Sequence, residues 1–216
     1  MNTQQRNSNL ELYRIIVMLL IVAHHYVVNS GLINMMEQEP FTERSIFFYL
    51  FGAWGKTGIN CFLMITGYFM CQSKITWNKF LKLILEVEFY KVTIYLIFIL
   101  SGYETFSISG CIKSIIPMLS LTDGFTSCFL VFYLCIPFLN ILVHNIEWKQ
   151  HCLLILLCLF IYTIHVTIPG MSVNMNYVSW FCTLYFIASY IRLHPQKKLN
   201  SIKWGGYFYY AYSPLS

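Results

Sequence analysis

The chain has 216 residues, of which 57% are apolar, 18% aromatic and only 11% charged, against about 25% charged in a soluble domain. That balance excludes disorder, a coiled coil and an ordinary water-soluble globule, and leaves an all-α, polytopic bundle of transmembrane helices. The net charge of +5 comes from basic residues scattered between apolar runs; they form no stripe of the kind nucleic acid requires, so no nucleic-acid partner is expected.

A helical span needs about 20 mostly apolar residues. Residues 10–28 supply the first. The second lies within 46–71, beginning near Gly52, with 59–71 as its apolar body. Residues 83–100 supply the third. Residues 107–121 are only moderately apolar and carry Lys113 and Pro117, which predicts an interfacial or re-entrant segment. The fourth span, 125–142, is expected to bend at Pro137, which cannot donate the helix bond there. Residues 152–168 and 177–193 give the fifth and sixth. Beyond Lys203-Trp204-Gly205-Gly206, the aromatic run 207–212 is too short to cross a bilayer. It reads as the stub of a seventh span cut off, which divides the chain into a domain over 1–204 and a stub over 205–216.

Lys and Arg accumulate in short cytoplasmic loops. With the N-terminus inside, the inner segments hold Arg6, Arg14, Lys74, Lys79, Lys82, Lys149, Arg192, Lys197, Lys198 and Lys203, ten of the fourteen basic residues. The opposite segment 29–45 is acidic through Glu37, Glu39 and Glu43. Six passes with both ends inside is the consistent topology. The first apolar run lacks a small-x-small cleavage site and is followed by further spans, so it is not a signal peptide. Of the eight cysteines, six (Cys61, Cys128, Cys135, Cys152, Cys158 and Cys182) lie in apolar stretches, and no C-x-x-C pair occurs. They read as packing thiols, with neither a disulfide framework nor a metal site.

Ionisable groups inside a membrane are costly, about 2.5–3.5 kcal/mol for a central Arg, and are functional candidates for that reason. The first span carries Arg14, His24 and His25. At 100° per residue, Arg14 and His25 lie within about 20° of one face and about 16 Å apart along the axis, while His24 lies about 80° to the other side. One reading has Arg14 snorkelling to inner headgroups and the histidines near the outer interface. The other has a polar face with an anion site within and a proton acceptor near its outer end, a task neutral imidazole suits. In the second span Asn60 and Gly67 share a face; Gly67 permits close approach of a neighbouring helix or a ligand, and Thr66 can bond back to its own helix. His144, His151 and His194 fall at inner loop edges and His165 near the outer end of the fifth span, where solvated or interfacial positions are expected. No H-E-x-x-H, G-x-S-x-G or phosphate loop is present.

The run Asn9-Leu10-Glu11-Leu12-Tyr13-Arg14-Ile15-Ile16, leading to His24-His25-Tyr26, resembles the first helix of the membrane-bound acyltransferase 3 family. Gly55-Lys56-Thr57-Gly58-Ile59-Asn60-Cys61-Phe62 through Thr66-Gly67-Tyr68-Phe69 resembles its second helix. Pro137-Phe138-Leu139-Asn140 resembles the end of a middle helix, and Trp180-Phe181 through Tyr190-Ile191-Arg192 a later one. The four pieces occur in family order. The resemblance implies an enzyme of the bacterial cytoplasmic membrane that moves an acyl group from cytoplasmic acetyl-CoA or another acyl-CoA to a carbohydrate hydroxyl, with no permanently bound cofactor. It implies His25 as the matching histidine, acting as general base or acyl carrier with His24 beside it, and Arg14 as a holder of anionic donor groups. Asn60, Thr66, Tyr68 and Arg192 are the implied substrate contacts, Arg192 suiting an anion.

Thr66 stands where the family usually has Ser, and Gly124-Phe125-Thr126-Ser127 where relatives often have a Trp-led stretch. A full domain of the family has further spans, so the chain reads as a C-terminally truncated copy. The residues alone also admit a transporter-like bundle whose polar face lines a path, or a non-catalytic remnant. Acceptor sugar, acyl chain and oligomeric state are not fixed by the sequence.

Overall fold

A computed structural model describes residues 8–103, 105, 107, 124–168 and 176–194. Of the predicted segments, the tail over 205–216 and all of 107–121 except Ser107 lie outside the described residues. Every described element is helical: α1 (Ser8–Asn29), α2 (Leu32–Gln38), α3 (Glu43–Gly52), α4 (Gly55–Met70), α5 (Trp77–Leu100), α6 (Phe125–Asn145), α7 (Trp148–Leu159) and α8 (Tyr177–Leu193). A π-helical turn, Phe160–Ile164, and a 3-10 turn, His165–Thr167, continue α7.

All six predicted intervals contain helix, but the second is not one piece. The chain leaves α3 through Ala53 and Trp54, the latter at φ −87° and ψ 4°, and re-enters helix at Gly55. The helix carrying the second interval therefore starts at Gly55, three residues after the start predicted near Gly52, and contains most of the predicted apolar body 59–71. The acidic segment before it forms the short helix α2, entered through Gly31 at φ +76°, a left-handed conformation glycine adopts without penalty. Tyr49 of α3 donates to the Met36 carbonyl at 3.2 Å and ties these two short helices together. Helix α6 continues through Pro137. By length and apolarity, α1 and α6 each suffice to cross a bilayer; the others are shorter or carry more charge.

The contacts fix helix directions. Gly52, Gly55 and Gly58 meet Val27, His24 and Ile21 in turn, so α1 and α4 are antiparallel. Asn60 pairs with Trp180 and Tyr68 with Arg192, so α4 and α8 run parallel. Helix α6 runs with them, Phe129 lying near Phe62 and Asn140 near Met70. Helix α7 opposes α8, with His151 beside Ser189 and Tyr162 beside Trp180. The core fills the space among α4, α6 and α8: Leu63, Leu130, Phe132, Ile136, Phe181 and Tyr185 are each at most 0% exposed. Phe80 of α5 stacks on Tyr133 of α6 and is buried. The start of α1, the ends of α4, α6 and α8, and the start of α7 thus share one end of the bundle.

Candidate active site

Helix α1 packs on a glycine ladder. A Cβ at Gly52 would sit 3.0 Å from Val27 Cβ, one at Gly58 would sit 2.9 Å from Ile21 Cγ1, and one at Gly55 would overlap the His24 ring. Glycines three apart lie on one helical side and let two backbones approach closely. The packed side of α1 is thereby Val17, Ile21, His24 and Val27; Val17 and Val27 are buried and His24 is half-buried. Gly52 sits at the α3 end, and its carbonyl accepts from His24 Nδ1–H at 2.6 Å.

Arg14 and His25 occupy the flank of that side, both exposed among the described residues. Their common stripe is as the 100° rule gives it, but the stripe turned most directly toward the neighbouring helices is that of His24. The Arg14 guanidinium leans over Phe62 of α4, Cζ 5.7 Å from the ring centroid. That separation suits a cation–π contact, and no carboxylate pairs with Arg14 among the described residues. His25 Nδ1 lies 3.5 Å from the Asn29 side-chain amide, and its ring meets the His24 ring edge-to-face at 5.7 Å between centroids.

The four residues assigned to substrate on resemblance separate into two groups. Asn60 Oδ1 accepts from Trp180 Nε1–H at 3.0 Å, and Thr66 Oγ1 donates to the Phe62 carbonyl at 2.9 Å. Thr66 is buried and Asn60 half-buried, so both serve helix packing as they stand. Gly67 beside them is where a Cβ would meet Ala188 Cβ at 3.1 Å and Tyr185 Cα at 3.2 Å. Tyr68 and Arg192 form the second group. Arg192 donates to Tyr68 Oη at 2.8 Å and to Gln72 Oε1 at 3.1 Å, with Cζ 4.6 Å from the Tyr68 centroid. Tyr68 also borders a cleft of about 210 Å³ between α1, α4 and α8, lined by Leu10, Tyr13, Cys61, Met64 and Ile191 among others.

Two residues carry more than their sequence positions suggested. His151 was expected at a loop edge; it is 0% exposed, Nε2 donating to the Phe186 carbonyl at 3.0 Å, with its ring against Tyr190 and His194. Its place at the first turn of α7 hides the fact that α8 covers it. Asn140 donates to the carbonyls of Met70 at 3.2 Å and Ser73 at 3.3 Å, and accepts from the Tyr185 hydroxyl. It closes the end of α4 against α6 and α8. The signal was available: a polar residue five positions before Asn145, following the apolar run 128–139. The described cysteines are thiols, Cys71 and Cys128 buried and the others half-buried.

No curated protein and no solved structure matches this chain. The family model of the acyltransferase domain, acyltransferase 3 type, matches residues 7–212 and so takes in α1 through α8, with Arg14, both histidines of α1, Asn140 and Arg192 inside it. The chain belongs to the acyltransferase 3 family and is an acyltransferase of the kind that transfers groups other than aminoacyl groups.

Proposed function

We propose that this acyltransferase works in the bacterial cytoplasmic membrane, taking an acetyl or other acyl group from acyl-CoA on the cytoplasmic side and esterifying a carbohydrate hydroxyl. The observation that carries the site assignment is the stripe of α1 bearing Arg14 and His25, where a guanidinium without a carboxylate partner and an accessible imidazole stand on one line among the described residues. In such a site Arg14 holds donor phosphates by charge-assisted hydrogen bonds, and Arg192, at the same end of the bundle, is a second anion contact beside Tyr68. The axial separation of about 16 Å between Arg14 and His25 matches a donor whose charged head and reactive thioester lie at opposite ends of an extended arm.

His25 receives the proton of the acceptor hydroxyl as that oxygen attacks the thioester carbonyl. The C–O ester bond forms, the C–S bond breaks, and the proton passes to the departing thiolate to give free CoA. A general base needs a bare ring nitrogen. Neutral His25 has one such nitrogen in either tautomer, and the contact from Asn29 Nδ2 to its Nδ1, at 3.5 Å, is too long to occupy the ring firmly. Asn60 and Thr66 support this site from α4 through the packing described above.

The test is acyl transfer in membranes carrying the expressed chain, with isotopically labelled acetyl-CoA and a mixed glycan acceptor. His25→Ala is expected to abolish labelled ester, and His24→Ala to leave a measurable fraction. Full activity in His25→Ala removes the imidazole from the site. Equal, complete loss in both variants contradicts the division of roles between the two rings.

A further inference from the structure

His24 and His25 are neighbours in sequence, yet only one is tethered. His24 reaches 28 residues along the chain, its Nδ1–H donating to the Gly52 carbonyl at 2.6 Å. Its ring lies so close on Gly55 that no Cβ fits there. The carbonyl it satisfies ends α3, two residues before the chain leaves helical geometry at Trp54. In a bilayer such a carbonyl must find a donor within the protein. Among the described residues, His25 has the long Asn29 contact and the edge of the His24 ring. The height and rotation of the outer third of α1, and with them the position of the His25 ring, are therefore set by this hydrogen bond together with the Val27 and Ile21 contacts that flank it on the glycine ladder.

We propose that His24 is a positioning residue for the His25 imidazole, acting through its Nδ1–H bond to the Gly52 carbonyl at the α3–α4 break. The proposal rests on the reading that His25 handles the acceptor proton. It assigns His24 no proton transfer: the hydrogen bond holds it as the Nδ1–H tautomer, and what it supplies is registration of α1 against α3 and α4. A small displacement suffices to matter, because a reacting group moved by about 1 Å can cost on the order of a hundredfold in rate.

Substitution by Asn separates this role from the alternatives, since its side-chain N–H₂ stands near the site of Nδ1 and can donate to Gly52 but cannot serve as a base. His24→Ala is expected to lower kcat about tenfold or more with KM within about twofold, and His24→Asn to recover most of that loss. Gly55→Ala, which displaces the ring with His24 intact, is expected to fall with His24→Ala. An independent readout needs no turnover: ring-15N-histidine spectra of the detergent-solubilised chain. They are expected to show one imidazole held as the Nδ1–H tautomer, assigned by its loss in His24→Asn. The His25 ring resonances are expected to move in His24→Ala and return toward wild type in His24→Asn. His24→Asn as inactive as His24→Ala overturns the proposal, as does a His24 ring in the Nε2–H tautomer or His25 resonances indifferent to His24→Ala. His25→Ala with full activity would instead remove the reading on which the proposal rests, while the tautomer measurement still decides the tether.

Discussion

Asn140 is a single side chain satisfying three groups, the Met70 carbonyl at the end of α4, the Ser73 carbonyl in the turn after it and the Tyr185 hydroxyl of α8. Truncation leaves all three without that partner where water is scarce. Asn140→Ala is expected to destabilise by about 2 kcal/mol, visible as a lower thermal midpoint in detergent, while Leu139→Ala beside it tests packing alone. His151 follows the same rule, a buried ring whose Nε2–H finds the Phe186 carbonyl. Residue types were readable in the sequence: Arg14, His24 and His25 stand out because charge in an apolar run is rare. Partners were not readable, because Asn140 and His151 are matched to groups 35 to 70 positions away.

At the scale of helices, two packing seams hold α4: the ladder of Gly52, Gly55 and Gly58 against α1, and Gly67 against α8. Gly67→Val places branched carbon against Tyr185 backbone, which cannot rotate away. It is expected to cost about 1–3 kcal/mol, read as a lower midpoint in the same thermal assay. Gly67 as a point of close approach was legible from its spacing with Asn60. The ladder was not, because it straddles the α3–α4 break and its first member lies on a different helix. The rotation of α1 escaped for a different reason. Helical geometry gives angles between residues, but the zero of that scale comes from an apolar–polar contrast. A helix apolar on its lipid side and its packed side alike lacks that contrast, so the stripe shared by Arg14 and His25 could be drawn without showing that His24 faces the neighbours most squarely.

Among the described residues, basic charge outweighs acidic at one end of the bundle, where Glu11 and Glu147 also lie, and acidic slightly outweighs basic at the other, where Arg44 and Lys56 also lie. Lys74, Lys79, Lys149 and Arg192 lie toward the end shared by the start of α1 and the ends of α4 and α8, and Glu37, Glu39 and Glu43 lie in or before α2 and α3 at the other. The proposed orientation, with the first end in the cytoplasm, is the one that agrees with the positive-inside rule. In a background with native cysteines replaced, Glu39→Cys is expected to react with a membrane-impermeant maleimide on intact cells, and Lys74→Cys only after permeabilisation. The opposite pattern reverses the orientation proposed for the donor and acceptor.

The interruption after Gly52 has a consequence for the surrounding lipid. Helix α4, at 16 residues, rises only about 24 Å, short of the roughly 30 Å of a typical hydrocarbon core. Unlike α1 with its 22 residues, it would match that thickness only together with α3 or in a locally thinner bilayer. Each ångström of such mismatch costs a fraction of a kcal/mol. Where α1 and α4 lie side by side, the two helices therefore offer a bilayer different apolar lengths at one seam, 22 residues against 16.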